Sequence, residues 1–212
     1  MEKENKMPFR QQTIDTFLNE LASGSPTPGG GAAAGLLGAQ ACALAEMACQ
    51  LTISNQDYAS VHEKAKVWLG VFTEARSIML ELMDEDAANF QAFMDLLHQP
   101  KPADPKDTSR EDALQAALQK SAEAPMQIGQ TLSDMLPVFT SLLKEGNENL
   151  MTDSIIAAQC AISAIRASIL NVRINLKFIK NEFYTRETED TMKQWEDAIS
   201  AIDAVLTYQV EL

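Results

Sequence analysis

The run Ser25-Pro26-Thr27-Pro28-Gly29-Gly30-Gly31 is the most unusual chemistry-bearing pattern in the sequence. Its prolines stiffen the approach to a turn, while its glycines permit φ > 0 and leave backbone N–H groups bare at the start of the helix that follows. Such a turn can hold a carboxylate or a phosphate. The Gly-Lys-Ser/Thr of a P-loop is missing, which argues against nucleotide binding by that route. A tight connection between two packed helices is the plainer reading of the same residues.

A second candidate is the acidic triplet Asp84-Glu85-Asp86. Successive helical positions point about 100° apart, so the three acids cannot all face the same way. An acidic run is usually a solvated face. Asp86, however, shares a helix side with Leu82, Phe90 and Phe93, which suits an inward role. A third candidate is Gly146-Asn147-Glu148-Asn149-Leu150-Met151-Thr152-Asp153, where Asp153 reads most simply as a helix N-cap. The helix that follows carries Arg166, Arg173, Lys177 and Lys180 and no acid between Ser154 and Asn181. That stripe could attract an anion, although cations toward a helix C-terminus also suit the macrodipole. His62 and His98 have no constellation around them and read as surface residues. No zinc motif, nucleophile elbow or dinucleotide fingerprint is present.

These residues must be positioned by helices. Few aromatics, many Ala and Met, and scattered β-branched residues describe packed helices rather than sheets, so the expected fold is all-α, a bundle of about six helices. Ile14, Phe17, Leu18 and Leu21 begin the series, ending near Ala22. From Ala32 to about Ile53 the residues are apolar around most of the circumference, which predicts a buried helix. An amphipathic stretch from Asp57 to Leu97 follows, with a break expected near Asp84 to Asp86. Prolines mark a surface loop over Gln99 to Thr108, and Ser109 with Asp112 resembles a capping box. The next helix reaches about Lys144, with Pro125 and Pro137 expected to kink or divide it. Thr152 or Asp153 opens another helix to about Lys180, and Met192, Trp195, Ile199, Ile202 and Leu206 define the last.

Length and charge narrow the class. The 212 residues suit one core and are read as a single domain spanning 1–212. With 17 basic against 30 acidic residues the net charge is −13, which opposes nucleic acid and anionic membranes as partners. Cys42, Cys49 and Cys160 are odd in number and lie in apolar helical patterns, as buried reduced thiols do. The first twelve residues lack the apolar core of a secretory signal. No stretch reads as long and apolar enough to span a bilayer, the nearest being interrupted by Gln40, Glu46 and Gln50. A cytoplasmic protein is the expectation.

Five motifs taken in order carry a family resemblance: Ser25 to Gly31 before an Ala/Gly-rich helix; Leu82-Met-Asp-Glu-Asp-Ala-Ala-Asn-Phe90; Ala124-Pro125; Gly146-Asn147 with Asp153; and Asn171-Val-Arg-Ile-Asn-Leu176. The chain resembles the formimidoyltetrahydrofolate cyclodeaminase and methenyltetrahydrofolate cyclohydrolase family over nearly its whole length. The resemblance implies an all-α homodimer acting on a tetrahydrofolate derivative, polyglutamylated or not, with no metal and no cofactor beyond that substrate. It implies an acid/base role for Asp86 or Asp153 and a substrate-binding turn at Pro28, Gly29, Gly30 and Gly31. Asn147, Asn171 and Asn175 become candidate partners of the pterin or the one-carbon bridge, and Arg173 and Lys177 of the glutamate tail.

Cyclohydrolase chemistry is expected in preference to deamination, because no formiminotransferase segment precedes this one. A cyclodeaminase and a non-catalytic folate-binding helical dimer are the alternatives. The sequence departs from the family pattern at Ala32, where serine is common. It departs again at Ser54-Asn55-Gln56-Asp57 before Tyr58, where lysines are common.

Overall fold

Six α-helices make up a computed structural model that describes residues 7–104 and 106–210. The first six residues, on which part of the leader-peptide expectation rested, and Pro105 of the expected loop lie outside the described residues. The helices are α1 (Ile14–Leu21), α2 (Gly30–Ser54), α3 (His62–Leu97), α4 (Ser109–Glu145), α5 (Met151–Leu176) and α6 (Glu182–Val210). Three short 3-10 turns, Phe9–Gln11, Gln56–Val61 and Glu148–Leu150, join or precede them.

Helices α2, α3, α4 and α5 form a ring in which each packs on its two neighbours, while α6 lies outside against α4 and α5. Short connections make successive members antiparallel. Gly35 and Gly38 of α2 are what allow α3 so close. A Cβ on Gly35 would stand 3.0 Å from the Met79 carbonyl oxygen, and one on Gly38 would meet the Met79 sulfur at 2.9 Å. Phe72, Met79, Ile128, Leu132, Phe139 and Ile165 fill the centre with 0% exposure, a volume no single helix could enclose.

Four expectations change. First, α3 runs unbroken through Asp84–Asp86, because each acid finds its own surroundings without a break, as described below. Second, neither Pro125 nor Pro137 divides α4. Each removes one backbone donor, but α4 is held along its length by α3 on one side and α5 on the other, and packing outweighs two missing bonds. Third, the α4 cap is shifted. Thr108 is the N-cap, its hydroxyl donating to Asp112 (2.9 Å), and the Ser109 N–H donates to Asp107 (2.9 Å). Fourth, two segments, Gly30–Ser54 and Glu148–Leu176, are long and apolar enough to cross a membrane by length and hydropathy. Their apolarity is spent on the core, where α2 and α5 pack against each other. Glu46, the charge inside α2, is buried and accepts from Arg76 of α3 at 2.6 Å.

Candidate functional site

The acidic triplet divides three ways. Asp84 accepts the Phe9 N–H (2.7 Å) and pairs with Arg10 (3.3 Å), pinning the N-terminal 3-10 turn to α3. Glu85 meets Lys120 of α4 (3.4 Å) and the Asn89 amide. Asp86 has no ion-pair partner among the described residues and turns toward a cavity at one end of the ring. The 100° step between helical neighbours produces this separation.

That cavity, about 210 Å³, is walled by the Pro26–Gly31 turn, Asp86 and Phe90 of α3, Ser121 of α4, and Asn171, Ile174 and Asn175 of α5. All four ring helices contribute. The Asp86 carboxylate lies against the Cα of Gly31, so closely that a methyl at that position would overlap it. Only glycine fits there. A Cβ on Gly30 would stand 3.0 Å from the Asn171 Oδ1, so the second glycine makes room for the amide. The Asn171 Nδ2 donates to the Ala167 carbonyl (2.8 Å), which leaves the amide oxygen directed toward the turn.

Burial pushes the Asp86 carboxyl from 3.8 up to about 6, partly offset by a hydrogen bond from the Ala32 N–H. Asp86 therefore caps the first turn of α2 from a neighbouring helix, where the macrodipole favours a negative charge. Ala32 itself is fully buried among Phe9, Phe17, Met83 and Ala87. Its methyl fills a hydrophobic site, and its backbone supplies the interaction with the carboxylate.

The other proposed site residues fall elsewhere. Asp153 and Asn147 lie at the opposite end of α5, about 27 Å from Asn171 by the rise of eighteen helical residues. There the Asn147 N–H donates to Thr52 (3.2 Å), its side chain caps the Glu148–Leu150 turn, and the Glu148 N–H donates to the Tyr58 hydroxyl (3.0 Å). The lysine-poor segment before Tyr58 belongs to that end too. Asp153 sits in the first turn of α5 rather than at its cap, which is Leu150. Pro28 is buried beneath the glycine turn, joined to Thr27 by a cis peptide bond.

The basic stripe is largely neutralised within the chain. Arg166 pairs with Asp203 (3.0 Å), Arg173 with Glu196 (3.2 Å) and Glu189 (3.5 Å), and Lys180 with Glu111 (2.7 Å). Neither Arg173 nor exposed Lys177 lines the cavity. His98 is exposed, and His62 is half-buried with Nε2 2.9 Å from the Asn55 carbonyl oxygen. Cys42 and Cys49 are buried thiols pushed up to about 12, chiefly by burial. No group of three His, Cys, Asp or Glu side chains among the described residues is arranged to hold a metal.

Ser121 and Ile174 were not anticipated as cavity residues. Ser121 had a signal in the sequence, since Pro125 deprives its carbonyl of the usual helical donor. Ile174 had none, being one apolar position among many.

The arrangement defines a class: an all-α ring with a half-buried carboxylate at one end, unpaired with any cation among the described residues, beside a helix N-terminus and two amides. Such a site suits proton transfer next to a ligand that brings its own positive charge. Comparison with known proteins gives the family. Residues 13–194 match the family model described as formiminotransferase-cyclodeaminase, and the chain belongs to that family. A methenyltetrahydrofolate cyclohydrolase of Methylorubrum extorquens is 30% identical over 92% of both chains. A mouse formimidoyltransferase-cyclodeaminase is 28% identical over 84% of this chain, which spans 34% of that protein. A solved structure of formiminotetrahydrofolate cyclodeaminase from Thermotoga maritima superposes with a TM-score of 0.86 at 28% identity, covering 95% of this chain and 96% of that one.

Proposed function

We propose that this chain is a cytoplasmic, homodimeric methenyltetrahydrofolate cyclohydrolase that opens the N5,N10-methenyl bridge to give 10-formyltetrahydrofolate. The observation that carries the reading is Asp86, a half-buried carboxylate pushed up to about 6 with no cation beside it among the described residues. The methenyl bridge is a delocalised cation, and it supplies the charge that the protein withholds. The chain's similarity to the Methylorubrum extorquens cyclohydrolase, over 92% of both chains, favours hydrolysis.

Asp86 would be mostly ionised at pH 7 and able to accept a proton from water as its oxygen adds to the bridge carbon. The neutral hydroxy-imidazolidine then collapses. The bond from carbon to N5 breaks, Asp86 returns its proton to N5, and the hydroxyl proton leaves to solvent as the formyl group forms on N10. One water is consumed and one proton released. Asn171, Asn175 and the amides of the glycine turn are the groups available to hydrogen-bond the pterin and the bridge, and Ser121 adds a hydroxyl. A carboxylate pinned by a rigid turn costs little reorganisation when charge moves.

Exposed apolar side chains support the dimer: Met47 and Leu51 on α2, and Ile156 and Leu170 on α5, face outward from neighbouring helices. The second reading, a cyclodeaminase, is favoured by the names of the mouse protein and the Thermotoga maritima structure. There N10 would attack the formimino carbon on N5, and Asp86 would deliver the proton with which ammonia departs.

The test is spectroscopic. Methenyltetrahydrofolate absorbs in the near ultraviolet, and catalysed loss of that absorbance is expected; its appearance from the formimino compound would select the second reading. Neither change at micromolar enzyme would exclude both activities.

A further inference from the structure

The Asp86 cavity does not end at Phe90 and Ile174. Beyond them runs a larger groove, about 590 Å³, between the C-terminal half of α3, the start of α4 and the end of α5. The two spaces share Phe90, Ile174 and Asn175, so a ligand leaving the cavity passes straight into the groove. Its walls are apolar and aromatic, with Phe93, Leu114 and Leu118 along the floor and Phe178 at the side. Phe178 is 62% exposed, a large cost for a phenyl ring with nothing to cover it.

The groove is also held in place. Gln115 of α4 donates through Nε2 to the Phe178 carbonyl (3.0 Å) and accepts the Lys180 N–H through Oε1 (2.8 Å). One side chain thus fixes the backbone on both sides of Ile179 in the connection from α5 to α6. At the same place the Lys180 ammonium reaches the groove and is held 2.7 Å from Glu111. Three donors on one ammonium leave capacity for a second carboxylate.

We propose that this groove receives the arylamide-glutamate limb of the substrate, the ring lying along Phe90 and Phe178 and the terminal carboxylates meeting Lys180. The assignment rests on the folate reading of the Asp86 cavity. It replaces Arg173, which does not line the groove, as the cation for the tail. A benzoyl ring fits an aromatic wall directly continuous with the bridge site, and Lys180 supplies the only basic group in the groove's lining against a chain of net charge −13.

The experiment compares methenyltetrahydrofolate with its pteroate counterpart, which keeps the aryl ring and lacks the glutamate. Wild type, Phe178→Ala and Lys180→Ala are assayed on both. Phe178→Ala is expected to raise KM about tenfold for both substrates, with kcat falling much less, because the ring contributes binding and not chemistry. Lys180→Ala is expected to raise KM about five- to tenfold for the glutamate-bearing substrate alone, abolishing the preference for it. Phe178 and Lys180 are both largely exposed, and circular dichroism of both variants should match wild type. KM values unchanged in both variants, with wild type active, would place the tail elsewhere and leave the cavity reading intact. A wild type that neither turns over nor binds either compound would sink the cavity reading and this inference with it.

Discussion

The two ends of the helical ring are built from the same four helices and do opposite things with their polar groups. At the Thr52 end, helix termini are tied off: the Asn147 N–H goes to Thr52, the Glu148 N–H to Tyr58, and Lys64 bridges to Glu145. At the Gly30 end, the first turn of α2 meets a half-buried carboxylate from α3 that pairs with no cation among the described residues. Polar groups satisfied within the chain stabilise; a buried charge left for a ligand costs stability and supplies reactivity. Both ends carry the Asn, Asp and Gly residues that made them look equally functional. The contrast teaches that residue type marks helix ends, while the pattern of satisfied and unsatisfied groups is what singles out the proposed site.

Breaking the reactive end should have the largest effect. Asp86→Asn is expected to lower turnover at least about 100-fold, as loss of an acid/base group does. The same substitution should stabilise the fold. Because the folded carboxyl titrates near 6 rather than 3.8, the charged form is disfavoured by folding, so stability falls as pH rises from about 4 to 6 and stays reduced above. Melting at pH 7 should therefore favour the variant by up to about 2 kcal/mol, less wherever water screens the site, and the gain should vanish near pH 3. A variant that is inactive and less stable at pH 7 would make Asp86 a structural cap instead.

Gly31→Ala comes next, with an expected loss of turnover of about 30-fold or more, because its methyl must displace the carboxylate. Gly30→Ala meets only a movable amide, and about a threefold to tenfold rise in KM is expected. Equal effects at the two glycines would show that the turn, and not the carboxylate, limits the reaction. The wild-type pH profile sharpens the point. A base must be ionised, so kcat/KM should fall about tenfold per unit below pH 6 and level off above, and the Asn variant should lack that limb.

At the tied end the effects should be smaller and fall on stability. Thr52→Val removes the acceptor of the Asn147 N–H and should cost about 1–2 kcal/mol in chemical denaturation while turnover changes little. Asp153→Asn should alter turnover less than about threefold. A loss matching that of Asp86→Asn would mean that the second subunit brings its Asn147 end to this cavity, and the two ends would no longer be separable.

Most of the helices could be read from the chain because their causes are local. The apolar period of α6, the Ala/Gly content of α2 and the glycine stop after Glu145 act within a few residues. Expectations failed where a distant contact decided. A break at Asp84–Asp86 was reasonable for an isolated helix, but Phe9, Arg10 and Lys120 come from elsewhere in the chain to satisfy Asp84 and Glu85. The basic stripe of α5 was real as composition, and α6 and Glu111 supplied the acids that cancel most of it. The glycine turn and Asp86 were visible one at a time; nothing in either said that Gly31 is where the carboxylate rests.

What the sequence determined by itself is the set of helices, their buried faces and a short roster of residues able to do chemistry, since periodicity and capping act over a few residues. Periodicity already turned Asp86 inward among the three acids; that it meets Gly31, and that the Asn171 end of α5 opens into a cavity beside it, was decided by packing. Antiparallel helices bring residues more than fifty positions apart, such as Gly31 and Asp86, into contact, and the same rods hold Asn171 and Asp153 about 27 Å from each other.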